Sequence, residues 1–251
     1  MDLTLVRHAT LRIALGGCRV LVDPMLDPAG ARPPVPNTPE PRPNPLVELP
    51  LAVEDVVEGL DAVLVSHLHV DHLDDTAVAA LDARTPLACQ PADELTLRER
   101  GFGDVRVLDG GIDLCGIGVA RTGGRHGSGR IAEALGPVSG FVLRAPGEPA
   151  LYVAGDTVWC DEVEGALAEH DPRVVVVNSG AARFVESDPI TMDADDVIET
   201  ARAAPRATIV AVHLEAINHC VLRRAELRAA VDEAGVGARV LIPGDGEALR
   251  L

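Results

Sequence analysis

Three histidines and an aspartate lie within six consecutive positions, in the run HLHVDH at residues 67–72. Imidazole and carboxylate groups are good ligands for Zn²⁺ and similar divalent ions. Side chains alternate along an extended backbone, so His67 and His69 face the same side. A turn at the following pair can direct Asp71 and His72 towards a second point nearby. The spacing therefore predicts two adjacent metal sites.

The elements around this motif must place it at the end of a strand. The apolar run Asp61–Ser66 predicts a buried strand that ends where the motif begins. Strands and helices alternate along the rest of the chain, which predicts two sheets with helices on their outer faces, in one domain spanning residues 1–251. The main predicted strands are Cys18–Val22, Leu87–Cys89, Val105–Leu108, Gly140–Leu143, Ala150–Val153, Val174–Val177, Thr208–Val212 and Arg239–Ile242. The main predicted helices are Val53–Leu60, Asp74–Leu81, Ala92–Arg100, Asp161–Glu169, Asp193–Ala203 and Arg223–Ala234.

Residues 24–50 interrupt this pattern, because ten of them are proline. Proline fixes φ and lacks a backbone donor, so the segment is neither a helix nor a central strand. Only about 22 residues precede it, too few for a separate domain. We therefore expect a long loop that lies over the fold rather than a linker, with Asn44-Pro45-Leu46 as the part that could approach a site.

The HxHxDH run after an apolar strand resembles the signature of the metallo-β-lactamase fold superfamily. That resemblance implies an α/β fold, an αββα sandwich of two mixed β-sheets with helices on the outer faces and a two-metal site at one sheet edge. The family also has a His after the middle strands, an Asp in a Gly-Asp-Thr turn and a last His after a late strand. The corresponding residues here are His126 in a Gly-rich loop, Asp156 after Gly155, and His213 after the strand Thr208–Val212.

The resemblance also implies which metal each residue holds. One ion would be held by His67, His69 and His126, the other by Asp71, His72 and His213, and Asp156 would bridge the two. His213 is preferred to His219 because it follows the strand immediately. A hydroxide between two divalent ions, Zn first with Mn or Fe as alternatives, would then attack an ester, lactone or phosphodiester of a small molecule. Asp71 would ligate metal and also relay a proton.

Other residues near the motifs are weaker candidates. Asn218 and His219 lie close in sequence to His213 and could reach a substrate, or could equally be a helix cap and a buried histidine. Arg125 could bind an anionic group, although arginine is usually a solvated surface residue. His8, at the end of the first strand, is left outside the metal set.

Composition excludes several function classes. The net charge is −17, from 39 acidic and 22 basic residues, and this field disfavours nucleic acid as a partner. All the basic residues are arginine, which excludes mechanisms that need a lysine. No apolar run is long enough for a membrane helix, and the N-terminus lacks the pattern of a signal peptide. Five cysteines without a CxxC pair favour reduced thiols and a cytoplasmic location. A homo-oligomer is compatible with the sequence.

Within the superfamily, the opening residues give a further resemblance. Arg7-His8-Ala9-Thr10, a Gly-Gly turn and Asp23-Pro24 are similar to the ascorbate-6-phosphate lactonase-like group of metal-dependent hydrolases. The phosphate-binding residues of that group cannot be placed here, so its substrate is not transferred. The alternative to an enzyme is a metal-binding scaffold or sensor with the same fold and no hydrolytic activity.

Overall fold

Fourteen strands form two seven-stranded sheets in the computed structural model, which describes all 251 residues. The first sheet contains β1 (Asp2–Arg7), β2 (Thr10–Leu15), β3 (Cys18–Val22), β4 (Ala62–Val65), β5 (Leu87–Cys89), β6 (Val105–Val107) and β14 (Ala248–Arg250). The second contains β7 (Gly111–Leu114), β8 (Ile117–Thr122), β9 (Gly140–Arg144), β10 (Leu151–Val153), β11 (Val174–Asn178), β12 (Thr208–Val212) and β13 (Val240–Leu241).

Both sheets are mixed. The first has the order β14-β1-β2-β3-β4-β5-β6, antiparallel up to β3 and parallel from β3 to β6. The second has the order β13-β12-β11-β10-β9-β8-β7, parallel from β13 to β10 and antiparallel from there to β7. The parallel halves matter for function, because the carboxyl ends of neighbouring parallel strands meet at one sheet edge.

The core shows why these strands are apolar along their whole length. In β4, Leu64 packs between the two sheets, whereas Val63 and Val65 pack against the helices on the outer face. In β11, Val176 faces the other sheet and Val175 faces the second helical layer. Because successive side chains point to opposite faces, a strand that is covered on both faces needs apolar residues at every position. The predicted αββα sandwich is therefore confirmed.

Seven short α-helices cover the outer faces. They are α1 (Val53–Val57), α2 (Asp75–Ala80), α3 (Glu94–Glu99), α4 (Gly129–Leu135), α5 (Asp161–His170), α6 (Ala194–Ala203) and α7 (Arg224–Glu233). Asp74 caps α2 by accepting a hydrogen bond from the Ala77 amide at 2.7 Å, and Asp193 caps α6 in the same way. None of the helices combines the length and hydropathy that a membrane crossing requires.

The proline-rich segment contains no helix or strand beyond one bridge between Arg32 and Asn44. Its two ends are tied to the first sheet by Arg7, whose side chain is fully buried. The guanidinium donates to the backbone carbonyls of Met25, Asp27 and Val47 at 2.8–3.1 Å. One buried cation therefore fixes where the segment leaves the sheet and where it returns.

Two elements were not predicted from the sequence. Helix α4 buries none of its residues, and β14 is a three-residue edge strand with no buried residue, so neither has an apolar pattern.

The expectation that all five thiols are reduced is also wrong, because Cys18 and Cys115 form a disulfide. They are 97 positions apart, and the fold brings their Cα atoms to 5.9 Å. Cysteine spacing cannot show such a pairing, because the two sheets create it. The free cysteines are Cys89, Cys160 and Cys220.

Candidate metal centre

The predicted ligands meet at the carboxyl ends of parallel strands from both sheets. The motif at residues 67–72 follows β4, Asp156 follows β10, and His213 follows β12. The loop between β8 and α4 brings His126 to the same place. The site therefore lies across the junction between the two sheets, at one edge of the sandwich.

Three imidazoles form a first group, His67, His69 and His126. One ring nitrogen from each lies within 4.8 Å of the others, and His67 Nε2 is 2.9 Å from His69 Nδ1. His67 and His126 are buried, and His69 is partly exposed. The residues predicted to share one ion are therefore adjacent in the structure.

A second group combines Asp71, His72 and His213 with His8, again within 4.8 Å. His72 Nε2 lies 4.0 Å and His213 Nε2 lies 3.7 Å from Asp71 Oδ2. His8 Nε2 is 3.1 Å from the same oxygen. His8 is thus part of this cluster, contrary to the expectation from the sequence that it lies outside the metal set.

The Asp156 carboxylate lies between the two groups. Its Oδ2 is 3.6 Å from His126 Nε2, 4.0 Å from His67 Nε2 and 3.2 Å from His72 Nε2, and its Oδ1 is 3.4 Å from His213 Nε2. It thus contacts ligand atoms of both groups, as a bridging carboxylate must.

These atoms satisfy two requirements of metal ligands. Ligands of a tetrahedral ion with bonds of about 2.0–2.1 Å are separated from one another by about 3.3 Å, close to the separations observed here. In addition, Nε2 of His72 and Nε2 of His213 are buried and have no hydrogen-bond partner in the protein. Buried polar atoms without partners are costly, and an ion between them would satisfy both. The residues therefore fit a pair of divalent ions.

Five of the seven predicted ligands are held by a partner outside the two ligand groups. The Asp23 carboxylate is 2.8 Å from His72 Nδ1, and Asn178 donates to Asp156 Oδ1 at 2.7 Å. The remaining partners are Ser66 at His67 Nδ1, the Ile190 carbonyl at His126 Nδ1 and Cys220 at His213 Nδ1. When Nδ1 is engaged in this way, Nε2 is directed to the centre. The sequence analysis gave neither Asp23 nor Ser66 a role at the site, and their place directly after the adjacent strands β3 and β4 is the pattern that could have identified them.

The backbone around the centre adopts unusual conformations. His8, Asp23 and His213 have φ values of 61°, 46° and 64°, in the left-handed region that residues other than glycine rarely occupy. The His213 amide donates to the His8 carbonyl at 2.9 Å, so two of these residues hold each other in place. Gly155 has φ 70°, and a Cβ there would overlap the Ser139 carbonyl oxygen. Such strain concentrates at functional sites.

Charge in the protein without metal is balanced between carboxylates and imidazoles. Burial alone would raise the pKa of Asp156, but the charges of His213 and His72 hold it well below its usual value. Burial likewise opposes the charged form of His213, yet Asp156 and Cys220 outweigh it and raise the pKa of His213 to about 10. The carboxylates are therefore ionised near neutral pH, and divalent ions would replace the protons on the imidazoles.

Two neighbouring cavities lie at this centre and share part of their lining. The metal-site cavity, about 280 Å³, is lined by His69, His126, Asp156 and His219 together with Leu68, Leu135, Phe184 and Ile190. The loop cavity, about 290 Å³, lies beside it under the proline-rich segment. Val35, Val70 and Asp71 line both cavities, so they form the boundary between them. In the proline-rich segment, Val35 lines the metal-site cavity, whereas Asn44 and Pro45 line the loop cavity.

The three predicted substrate residues have different surroundings. His219 lines the metal-site cavity, where burial lowers its pKa to about 4, so the ring is neutral. The Asn218 side chain is directed away from the centre and bonds Val35, Asn44 and the loop beyond them. Arg125 is 48% exposed beside Glu162 and lines neither cavity. Of the three residues chosen because they are close in sequence to a predicted ligand, only His219 lines the metal-site cavity.

Similar known proteins identify the family of this chain. The model of the β-lactamase superfamily domain matches residues 18–214. The chain belongs to the β-lactamase superfamily. UPF0173 protein YddR of Bacillus subtilis (strain 168) is 38% identical over 98% of both chains.

Two solved structures are similar over nearly the whole length. An isothiocyanate hydrolase from Delia radicum gut bacteria is 37% identical with a TM-score of 0.95, over 100% of this chain and 99% of its own. A possible metal-dependent hydrolase from Veillonella parvula DSM 2008 is 33% identical with a TM-score of 0.97, at the same coverage. The chain is thus a member of a family of metal-dependent hydrolases.

Proposed function

We propose that this protein is a binuclear metal-dependent hydrolase of small uncharged electrophiles, such as an isothiocyanate, an ester or a lactone. The observation that carries the proposal is the pair of ligand groups joined by Asp156 at the base of an apolar cavity. A pair of divalent ions, Zn first with Mn or Fe as alternatives, would lower the pKa of a water molecule and polarise the bond under attack. The ligands of one ion would be His67, His69 and His126, those of the other Asp71, His72 and His213, with Asp156 shared.

Two residues would act directly on the reacting groups. Asp71 faces both cavities, and its carboxylate stays ionised because His72, His213 and His8 outweigh the effect of burial on its pKa. It would take the proton of the attacking water and pass it to the nitrogen or oxygen of the substrate. His219 is neutral, and its buried Nδ1 has no protein partner, so the ring is suited to hold a polar atom of the substrate.

The lining of the cavities favours an uncharged substrate. The arginine that lines either cavity is Arg32, and Asp27 and Asp75 already pair with its guanidinium. A phosphodiester is negatively charged and would find no free side-chain cation in these cavities. We therefore expect it to be a poorer substrate than an isothiocyanate, an ester or a lactone. The similarity to an isothiocyanate hydrolase supports the same class, in which water adds a hydroxyl to the central carbon and a proton to the nitrogen.

The test combines metal analysis with a substrate panel. Protein purified without chelator or added metal is analysed for metal per chain, then assayed with methyl isothiocyanate, p-nitrophenyl acetate, a lactone and bis(p-nitrophenyl) phosphate. We expect about two ions per chain and turnover of the uncharged substrates. Asp71→Asn should lose about 10²–10⁴-fold in kcat. Asp113→Asn, an exposed carboxylate that accepts from the Gly116 amide, is the matched control. Turnover that survives complete metal removal would contradict the proposal.

The alternative is a metal-binding scaffold or sensor without hydrolytic activity. Its expected result is two tightly bound ions and no turnover of any substrate in the panel.

We also propose a cytoplasmic location, although the Cys18–Cys115 disulfide is typical of oxidising compartments. Alkylation of thiols in intact cells, followed by mass spectrometry of both peptides, decides between the two locations.

A further inference from the structure

We propose that the loop cavity is the specificity subsite of this enzyme and binds an uncharged, apolar arm of the substrate while the electrophilic carbon lies in the metal-site cavity. This inference rests on the proposed hydrolase function and names the part of the substrate that decides selection. The two cavities share Val35, Val70 and Asp71 in their linings, so they meet beside the Asp71 carboxylate, where the proposed substrate would extend from one into the other.

The loop cavity has an apolar wall. Its surface is formed mostly by Pro33, Pro34, Val35, Pro36, Pro45, Met25 and Ile217. Its polar residues are engaged elsewhere. The Asn44 amide donates to Asn218 Oδ1 at 2.6 Å, its oxygen accepts from the Asn218 amide at 2.9 Å, and Arg32 pairs with Asp27. A charged or strongly hydrated group entering this cavity would lose water without gaining a partner.

The wall is also rigid before a substrate arrives. Asn218 Oδ1 accepts from the Val35 amide at 2.9 Å, and its Nδ2 donates to Thr38 Oγ1 and to the Glu40 carbonyl, both at 2.6 Å. A single buried amide thus fixes the segment over the cavity, and the prolines restrict its φ angles. A preorganised wall lowers the entropic cost of binding. The affinity for a substrate should therefore depend directly on how well its apolar arm fits this cavity.

The apolar arm of the substrate is assigned to the loop cavity because the metal-site cavity must hold the reacting groups. The metal-site cavity holds most of the predicted ligands and must accommodate both the water and the electrophile. The loop cavity is free of predicted ligands except Asp71 at the boundary, and its volume of about 290 Å³ has room for a chain of several carbons or an aryl group. Asn218 is therefore a positioning residue for the loop and does not contact the reacting atoms.

The experiment compares methyl and n-hexyl isothiocyanate in the metal-loaded full-length protein, after correction for their uncatalysed rates. We expect kcat/KM to rise about fourfold for each added methylene that enters the cavity. The analogue with a carboxylate at the end of the hexyl chain should lose that gain. Val35→Phe, which fills the cavity, should lower the hexyl-to-methyl ratio at least tenfold. Val185→Phe, at a 51% exposed valine that lines neither cavity, should leave the ratio unchanged.

A binding measurement separates this proposal from the hydrolase function. The probe is n-hexanamide, with acetamide as the short reference, titrated calorimetrically into the wild type and both variants. Binding of hexanamide that Val35→Phe abolishes and Val185→Phe retains supports the subsite even if no substrate is turned over, in which case the hydrolase function alone fails. Turnover with equal kcat/KM for both chain lengths, or a ratio that both variants lower equally, would overturn the subsite and leave the hydrolase function standing.

Discussion

Asp23 offers a sharp test of the metal centre because it is not a predicted ligand and yet its carboxylate contacts one, His72. Its Oδ1 accepts from the Ser66 amide at 2.7 Å, and its Oδ2 is 2.8 Å from His72 Nδ1. In Asp23→Asn, the amide oxygen must keep the bond to the Ser66 amide. The new NH₂ group then faces His72 Nδ1 and can only donate to it. His72 is driven to the tautomer with its proton on Nε2, the atom that should bind metal.

The size of the effect follows from this geometry. If the amide turns instead, a buried backbone donor loses its acceptor, at a cost of about 1–3 kcal/mol. Loss of an outer partner of a metal ligand typically weakens metal binding by about 10–100-fold, or about 1.4–2.7 kcal/mol. We expect this loss for the ion held by His72, whereas the ion held by His67, His69 and His126 stays bound.

The assay is a competition titration with a chelator, with metal per chain measured at each point. Asp196→Asn is the control, because Asp196 accepts from the Trp159 amide at 3.1 Å, an asparagine oxygen can do the same, and Asp196 belongs to neither ligand group. Asp23→Asn protein that retains two ions with the affinities of the wild type would refute the reasoning. Equal loss in the control would attribute the effect to general destabilisation.

Three further outcomes are expected. Asp156→Asn should lose both ions and all turnover, which metal analysis and the isothiocyanate assay check together. The melting temperature of the metal-free protein should fall from pH 7 to 10, because the stabilisation from protonated His213 is complete below about 6.5 and is lost through its pKa of about 10. The metal-loaded protein, with His213 already deprotonated, should not show this fall. Arg7→Met should lower the free energy of unfolding in urea by about 3 kcal/mol, since buried carbonyls lose their donor.

The sequence predicted most of the centre because its residues follow strands with clear apolar patterns. His67, Asp156 and His213 each come directly after or within a few residues of such a strand, and parallel strands end at a common edge. The same local pattern placed Thr208–Val212 within the bounds that the structure has. Local patterns carry this information because burial on two faces dictates residue type.

Long-range pairings could not be predicted in this way. Asn218 contacts Asn44 across 174 positions, so its place near His213 suggested a substrate contact that the structure replaces with a loop contact. His8 was set aside because a lone histidine after a first strand carries no signal. Its role depends on Asp71, 63 positions away. These contacts form only when distant parts of the chain pack together, so the residue pattern within one segment cannot predict them.

The attachment of the proline-rich segment has a consequence for how this enzyme can change over evolution. Arg7 bonds only backbone carbonyls there, and Asn218 bonds backbone groups of residues 35 and 40 as well as the Thr38 and Asn44 side chains. Backbone groups are the same for nearly every residue type, so side chains such as that of Val35 can be exchanged without loosening either anchor. No predicted metal ligand lies between residues 24 and 50. With the subsite and the metal centre as proposed, mutations in this segment would change which molecules are accepted without touching a predicted ligand, so a new substrate could be acquired while the metal chemistry is inherited intact.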